Sequence, residues 1–388
     1  MLMVKSSIAA TAVAVALTSF AASAEDVKLP NQLSWTAYGT KSSGYAQGVG
    51  IGQMLKKNYG TALRIIPGKN DVSRMVPLRS GQSEICACGA AAVFAQEGAL
   101  MFGSKKWGPM PLLNLFNNLG SNGQQLVVAG DSGIKTAADL KGKRVTFVKG
   151  APALNLNAEA MLAFAGLTWD DVKKVTVPGW GQSAEAVVNG QADATWGSTV
   201  SSAYQKLAAS PRGLYWLNLP HSDAEGWARA RKVAPHWSQS KVEKAVDIEK
   251  NESGGKSYEG NNYPYPIYVA SPKISDETAY SLTKAVMENY EQIKDSGPGM
   301  DGYRLVRQPL KWAFPYHPAA IKYYKEKGVW TADHDTYNDG LLNRQKVLAD
   351  AWAKMDKDLA DDAFIAAWQK VRADALDAAG LDVPFRSW

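Results

Sequence analysis

The 388-residue chain has little of what catalytic and metal sites are built from: two cysteines and four histidines. Cys86 and Cys88 stand as C-x-C in "SEICACGAAAVF". Two thiolates do not complete a zinc site, and the few histidines suggest no partner cluster. Side chains two apart on a strand share a face. The pair therefore reads as two small apolar residues ending a buried strand, with a strained disulfide of an exported protein as the alternative. His221, His236, His317 and His334 are scattered. The sequence has no GxSxG elbow, no HExxH and no P-loop ending in Gly-Lys-Ser/Thr. The glycines of "GTKSSGYAQG" match neither a dinucleotide nor a Walker spacing. No nucleophile–base pair can be named, so the reading is of a protein that is not an enzyme and carries no metal or cofactor. A hydrolase is disfavoured on that ground. Excess charge is scarce too: 43 basic residues oppose 37 acidic ones without clustering. That excludes the basic stripe of a nucleic-acid binder and leaves a mild preference for small anions.

What is present begins with the first 24 residues. Lys5, the apolar run 8–20 and Ala22-Ser23-Ala24 read as a cleavable secretory signal peptide. No later stretch reaches the roughly 18 apolar residues of a transmembrane helix. The expectation is a monomeric protein of the periplasm. The remaining length is too great for one compact core and implies two lobes.

The chain then repeats a short β-like run, a Gly- or Ser-rich turn and a helix-like run: at 33–38, 62–66 and 84–88, and again from 126–130. Such βαβ alternation predicts parallel sheets, with ligands beyond the carboxyl ends of the strands. The expected organisation is lobe 1 at 25–125, lobe 2 at 126–262, a return to lobe 1 at 263–335 and a helical extension at 336–388. Segment 221–262 reads as an insertion or irregular cover. Ser275 is an N-cap candidate, and His317, between prolines in "PYHPAAIKYYKEKG", reads as a capping residue rather than a base.

The turns at helix starts offer backbone N–H groups and partial positive charge suited to a carboxylate. Aromatics cluster beside them: Tyr38, Tyr45, Trp180 and Trp196. Lys149, just before a helix, is the expected anion partner, with Lys41, Lys69 and Arg74 next in line. Trp196, before Gly197-Ser198-Thr199, is read as a flat wall for an apolar or aromatic ligand body. The alternative places it in the core of lobe 2.

Four stretches, "DSGIKTAADLKGKRVTF", "NAEAMLAFAGLTWDDVK", "AEAVVNGQADATW" and "PYHPAAIKYYKEKG", together resemble the solute-binding subunits of TRAP transporters, and most closely the TAXI branch. The resemblance runs from about residue 32 to 330. It implies a two-lobed periplasmic binding protein fold of type II, each lobe a mostly parallel sheet flanked by helices. It further implies a receptor that closes on a small organic acid and hands it to TRAP membrane permease subunits. A sensor subunit for a membrane signalling kinase is the rival, separable by gene neighbourhood. Carried over turn by turn, the ligand-binding positions are Gly39, Thr40, Ser43 and Tyr45 after the first strand, with Tyr38 before them. They continue with Asn70 in the second turn and Cys88 and Gly89 after the third strand. In lobe 2 they are Lys149, Gly150 and Asn155, then Trp180, then Trp196, Ser198 and Thr199. This chain departs from the family at Gly150-Ala151-Pro152-Ala153 and at Cys88-Gly89, where hydroxyl and amide donors are missing, so ligand identity does not transfer.

Overall fold

A computed structural model describes residues 26–250 and 255–388; the signal-peptide reading falls on residues outside these. In the first lobe the chain runs through strand β1 (Gln32–Tyr38), helix α1 (Ser43–Tyr59), β2 (Ala62–Gly68), α2 (Asp71–Ser80), β3 (Ile85–Cys88), α3 (Ala91–Glu97) and β4 (Leu113–Asn117). It crosses to a second sheet at β5 (Gln124–Ala129). There it continues through β6 (Arg144–Val148), α4 (Pro152–Phe164), β7 (Lys173–Val177), α5 (Trp180–Val188), β8 (Ala194–Ser198), α6 (Ala203–Ala209) and β9 (Leu214–Trp216). Helix α7 (Ala224–Val233) and an antiparallel ribbon, β10 (Ser238–Val242) with β11 (Tyr258–Asn262), precede the return crossing. Strand β12 (Ile267–Ala270), α8 (Asp276–Glu288), α9 (Tyr290–Ile293) and α10 (Pro318–Glu326) rejoin the first lobe, and α11 (Ala332–Ala353) and α12 (Asp361–Ala378) form the C-terminal extension.

The sheet orders are β2-β1-β3-β12-β4 and β7-β6-β8-β5-β9. Each is mostly parallel, with four strands running one way and a single strand running against them. In each, the strand that arrives straight from the other lobe is inserted antiparallel: β12 between β3 and β4, and β5 between β8 and β9. A strand entering directly, with no crossover helix to turn it round, runs against its neighbours. Strands β3, β5, β8 and β12 are buried along their whole length, whereas the edge strands β2 and β7 are partly exposed and carry Arg64, Lys173 and Lys174.

Two readings need correction. The described residues of segment 221–262 are no irregular cover: they form α7, β10 and β11, and α7 packs its fully buried Trp227 against Phe164 of α4. Cys86 and Cys88, both fully buried in β3, are joined as a disulfide rather than left as free thiols. Their Cα atoms lie 5.1 Å apart, within the span such a bond bridges.

Capping follows the local chemistry. Ser275 accepts the Thr278 N–H at the start of α8, and the buried His317 accepts the Ala319 N–H at the start of α10. Helix α12 buries Phe364, Trp368, Arg372 and Leu376, a stripe four residues apart that faces the first lobe. Trp368 Nε1 donates to Gly98 O at 2.6 Å there. Among the described residues no helix is long and apolar enough to cross a membrane, and no cluster of His, Cys, Asp or Glu could hold a metal ion.

Candidate functional site

A cavity lies where the carboxyl ends of β1, β3 and β8 face one another between the lobes. Tyr38 ends β1, Gly89 and Ala90 follow β3, and Trp196, Gly197 and Ser198 close β8. Helix starts complete the wall: Ser42 at the cap of α1, Arg74 one turn into α2, Ala153, Leu154 and Asn157 in α4, and Trp180 at the first position of α5. The two crossings add Gln124 on one side and Tyr263 and Tyr265 on the other. The free space within it is about 30 Å³, room for roughly one or two waters.

Arg74 is the buried cation of this cavity. Its Nη2 donates to Asp71 Oδ1 at 2.7 Å, three residues back on the same helix, and its guanidinium carbon stands 3.5 Å above the centre of the Tyr38 ring. The Tyr38 hydroxyl also donates to Asp71 Oδ1. Burial works against the charge on Arg74, and the Asp71 carboxylate beside it opposes that effect. Burial drives the Tyr38 phenol well above its ordinary value and pushes that of Tyr265 up to about 12. These phenols are therefore neutral at physiological pH. Two buried donor nitrogens of lining residues, Arg74 Nε and Gln124 Nε2, have no hydrogen-bond partner within the protein. A buried donor of this kind is satisfied by a water or by a bound group that brings an acceptor.

The lobe-2 wall is braced from behind by the stretch before β10. Asn157 Oδ1 accepts from Trp237 Nε1 at 2.6 Å and pairs with His236 Nε2 at 3.1 Å, while Asn157 Nδ2 donates to Ala153 O at 2.6 Å. Trp237 stacks on Trp196 with ring centres 5.3 Å apart. Burial holds the His236 imidazole neutral, its pKa down at about 3.

Of the residues singled out from sequence, Tyr38, Arg74, Gly89, Trp180, Trp196 and Ser198 line the cavity. The others lie elsewhere. The Lys149 side chain is exposed and only its carbonyl faces lobe 1, accepting from Asn70 Nδ2 at 2.9 Å. Gly150 O accepts the Val72 N–H at 3.1 Å. Gly150 has a left-handed φ of 71°, and a Cβ there would stand 2.6 Å from Asn70 Nδ2. Asn155 spends its amide on the Val148 backbone, and Thr199 bonds Gly123 N–H and Lys244 O. Thr40 is exposed, Gly39 half-exposed and Ser43 buried in α1, while Tyr45 packs into the lobe-1 core. Cys88 is taken up by its disulfide. Trp196 is wall and core at once, since it is 3% exposed and still lines the cavity.

Sequence reasoning missed Gln124, Asn157, Tyr263 and Tyr265 as lining residues and ranked Arg74 behind Lys149. A signal existed for Arg74: it lies one turn past the Asn70 cap, on the helix face that looks back along the strands. For the tyrosines it was the Pro-interrupted "YPYP" at the crossing.

Fold and cavity together define a two-lobed α/β protein with a polar-aromatic pocket between its lobes. Residues 36–328 match the NMT1-like family, and the chain belongs to that family. It is also similar to the alkanesulfonate-binding protein SsuA of Xanthomonas axonopodis pv. citri bound to MOPS, at 16% identity over 91% of this chain and 95% of that one, TM-score 0.42. The periplasmic aliphatic sulphonate binding protein SsuA of Escherichia coli gives 15% identity over 92% of each chain, TM-score 0.37. An ancestral arginine-binding protein bound to arginine gives 16% over 71% and 97%, TM-score 0.39.

Proposed function

We propose that this protein is an extracytoplasmic solute-binding receptor that captures a small organic anion between its lobes and delivers it to a TRAP-type permease. One observation carries the ligand class. Arg74 Nε from lobe 1 and Gln124 Nε2 from the crossing into lobe 2 are both buried, both unpaired, and both on residues of one cavity wall. Two donors without a matching acceptor favour a solute that brings acceptor oxygens, as a carboxylate or sulfonate does. Tyr38, Trp180, Trp196, Tyr263 and Tyr265 supply flat walls for an apolar or aromatic body beside that group. Delivery to TRAP membrane subunits and periplasmic location rest on the sequence resemblance. A thermal-shift screen of carboxylates and sulfonates, followed by calorimetry on Arg74→Met, tests the reading. Stabilisation by such an anion that is lost in the variant is expected. A full panel without effect, or a hit that binds the variant equally, overturns it.

A further inference from the structure

Asp71 sits where the two lobes touch. It is the first residue of α2 and fully buried. Its Oδ1 accepts from the Tyr38 hydroxyl and from Arg74 Nη2, both on lobe 1. Its Oδ2 accepts the Ala153 N–H of lobe 2 at 2.8 Å, in the first turn of α4. The opening N–H groups of a helix lack partners within it and favour negative charge. A guanidinium on one side and a helix-start amide on the other is how two lobes would share a ligand's acidic group. Here a side chain of the protein already fills that role.

The surrounding contacts make the same junction. Asn70 Nδ2 donates to Lys149 O, the Val72 N–H to Gly150 O, and the Trp180 N–H to Lys69 O at 2.9 Å. The run 69–72 thus fastens lobe 1 to two loops of lobe 2. Facing Asp71 are Tyr38 from β1, Arg74 from its own helix, Tyr265 from the return crossing and the Ala153 amide from α4. Arg74 is the cation among them, and Asp71 already balances it.

We infer that Asp71 is an internal anion: it latches the lobes together and competes with a ligand's acidic group for Arg74 and the start of α4. The latch stands apart from the proposed receptor role, whereas the competition rests on it. Removing the carboxylate frees a buried guanidinium and an amide, a pair that a small free carboxylate can then re-occupy.

Chemical rescue tests this. In small-angle scattering, Asp71→Ala should show a larger radius of gyration than the wild type, and acetate should restore the wild-type value. Acetate should bind Asp71→Ala at least tenfold more tightly than it binds the wild type. If Asp71→Ala does not fold because Arg74 is left bare, the double variant Asp71→Leu, Arg74→Met removes both charges. It should also open, and acetate should leave it open. An unchanged radius of gyration in the variant that folds, or opening of Asp71→Ala that acetate does not reverse, overturns the inference. A ligand screen that fails on the wild type would remove the receptor role while leaving the scattering result standing.

Discussion

Arg74 in the interlobe cavity and Arg372 in the C-terminal extension are both fully buried beside a carboxylate. Every nitrogen of Arg372 is used. Nε donates to Glu97 O at 3.0 Å, Nη1 to Phe385 O at 3.2 Å, and Nη2 to Glu97 Oε2 and to Pro384 O. Arg344 adds two further bonds to Glu97, at 2.6 and 2.8 Å. Arg74 is bonded well only through Nη2; its Nη1 reaches Ala87 O at 3.4 Å and its Nε reaches nothing. Both cations are desolvated, so the difference lies in how far the protein compensates them. A buried charge whose hydrogen bonds are complete is a joint, here fixing α11 and α12 to lobe 1. One left short of partners is suited to receive something else.

The sharpest way to break the comparison is at the joint. Glu97→Ala strands two arginines, and a loss of about 3–5 kcal/mol is expected in denaturant unfolding, the usual cost of removing one partner of a buried pair. Limited proteolysis should then cut first within residues 332–388. A loss below about 1 kcal/mol would mean that the extension is held by apolar packing alone.

On the cavity side, Trp196→Ala should cost a similar amount, about 3–5 kcal/mol for truncating a buried tryptophan. It should also weaken solute binding, because the same ring stacks on Trp237 and lines the cavity. Full stability in the variant would contradict the packing described here.

A smaller effect is expected at the cation itself. Arg74→Met should weaken anion binding by roughly ten- to a hundredfold in calorimetry, the worth of one charge-assisted bond. Lys149→Met should leave the affinity unchanged, since that side chain points to solvent. Equal losses in the two variants would argue for a diffuse field instead of a contact.

The least effect concerns pH. Burial lowers the pKa of His236 from 6.5 to about 3, and burial also lowers that of His317, although Asp276 opposes it. In the fold both imidazoles take up a proton less readily than they do in the unfolded chain. Stability is therefore fully present above about pH 6.5 and declines as pH falls towards the folded values. The melting temperature should be lower at pH 5.5 than at pH 7.5, and His236→Gln should flatten part of that slope. An identical slope in the variant would leave His317 to account for it.

Sequence alone carried the local structure a long way. The alternation of strand, turn and helix, the Ser275 and His317 caps and the amphipathic stripe of α12 are written in short-range chemistry that neighbouring residues complete among themselves. The lobed α/β class followed from that order. The antiparallel insertion of β5 and β12 did not, because it depends on the direction from which a crossing strand enters a sheet. Sequence alone ranked Lys149 ahead of Arg74 as the anion partner. Tertiary packing left the Lys149 side chain in water and buried Arg74 against Asp71 and Tyr38. Gln124, Tyr263 and Tyr265 join the cavity wall from the two crossings, separated by more than a hundred residues of lobe 2. Hydrophobic pattern and capping act within a turn or a strand, so the sequence set them by itself. The partner of a buried charge is chosen by long-range packing, and only the tertiary structure decides it.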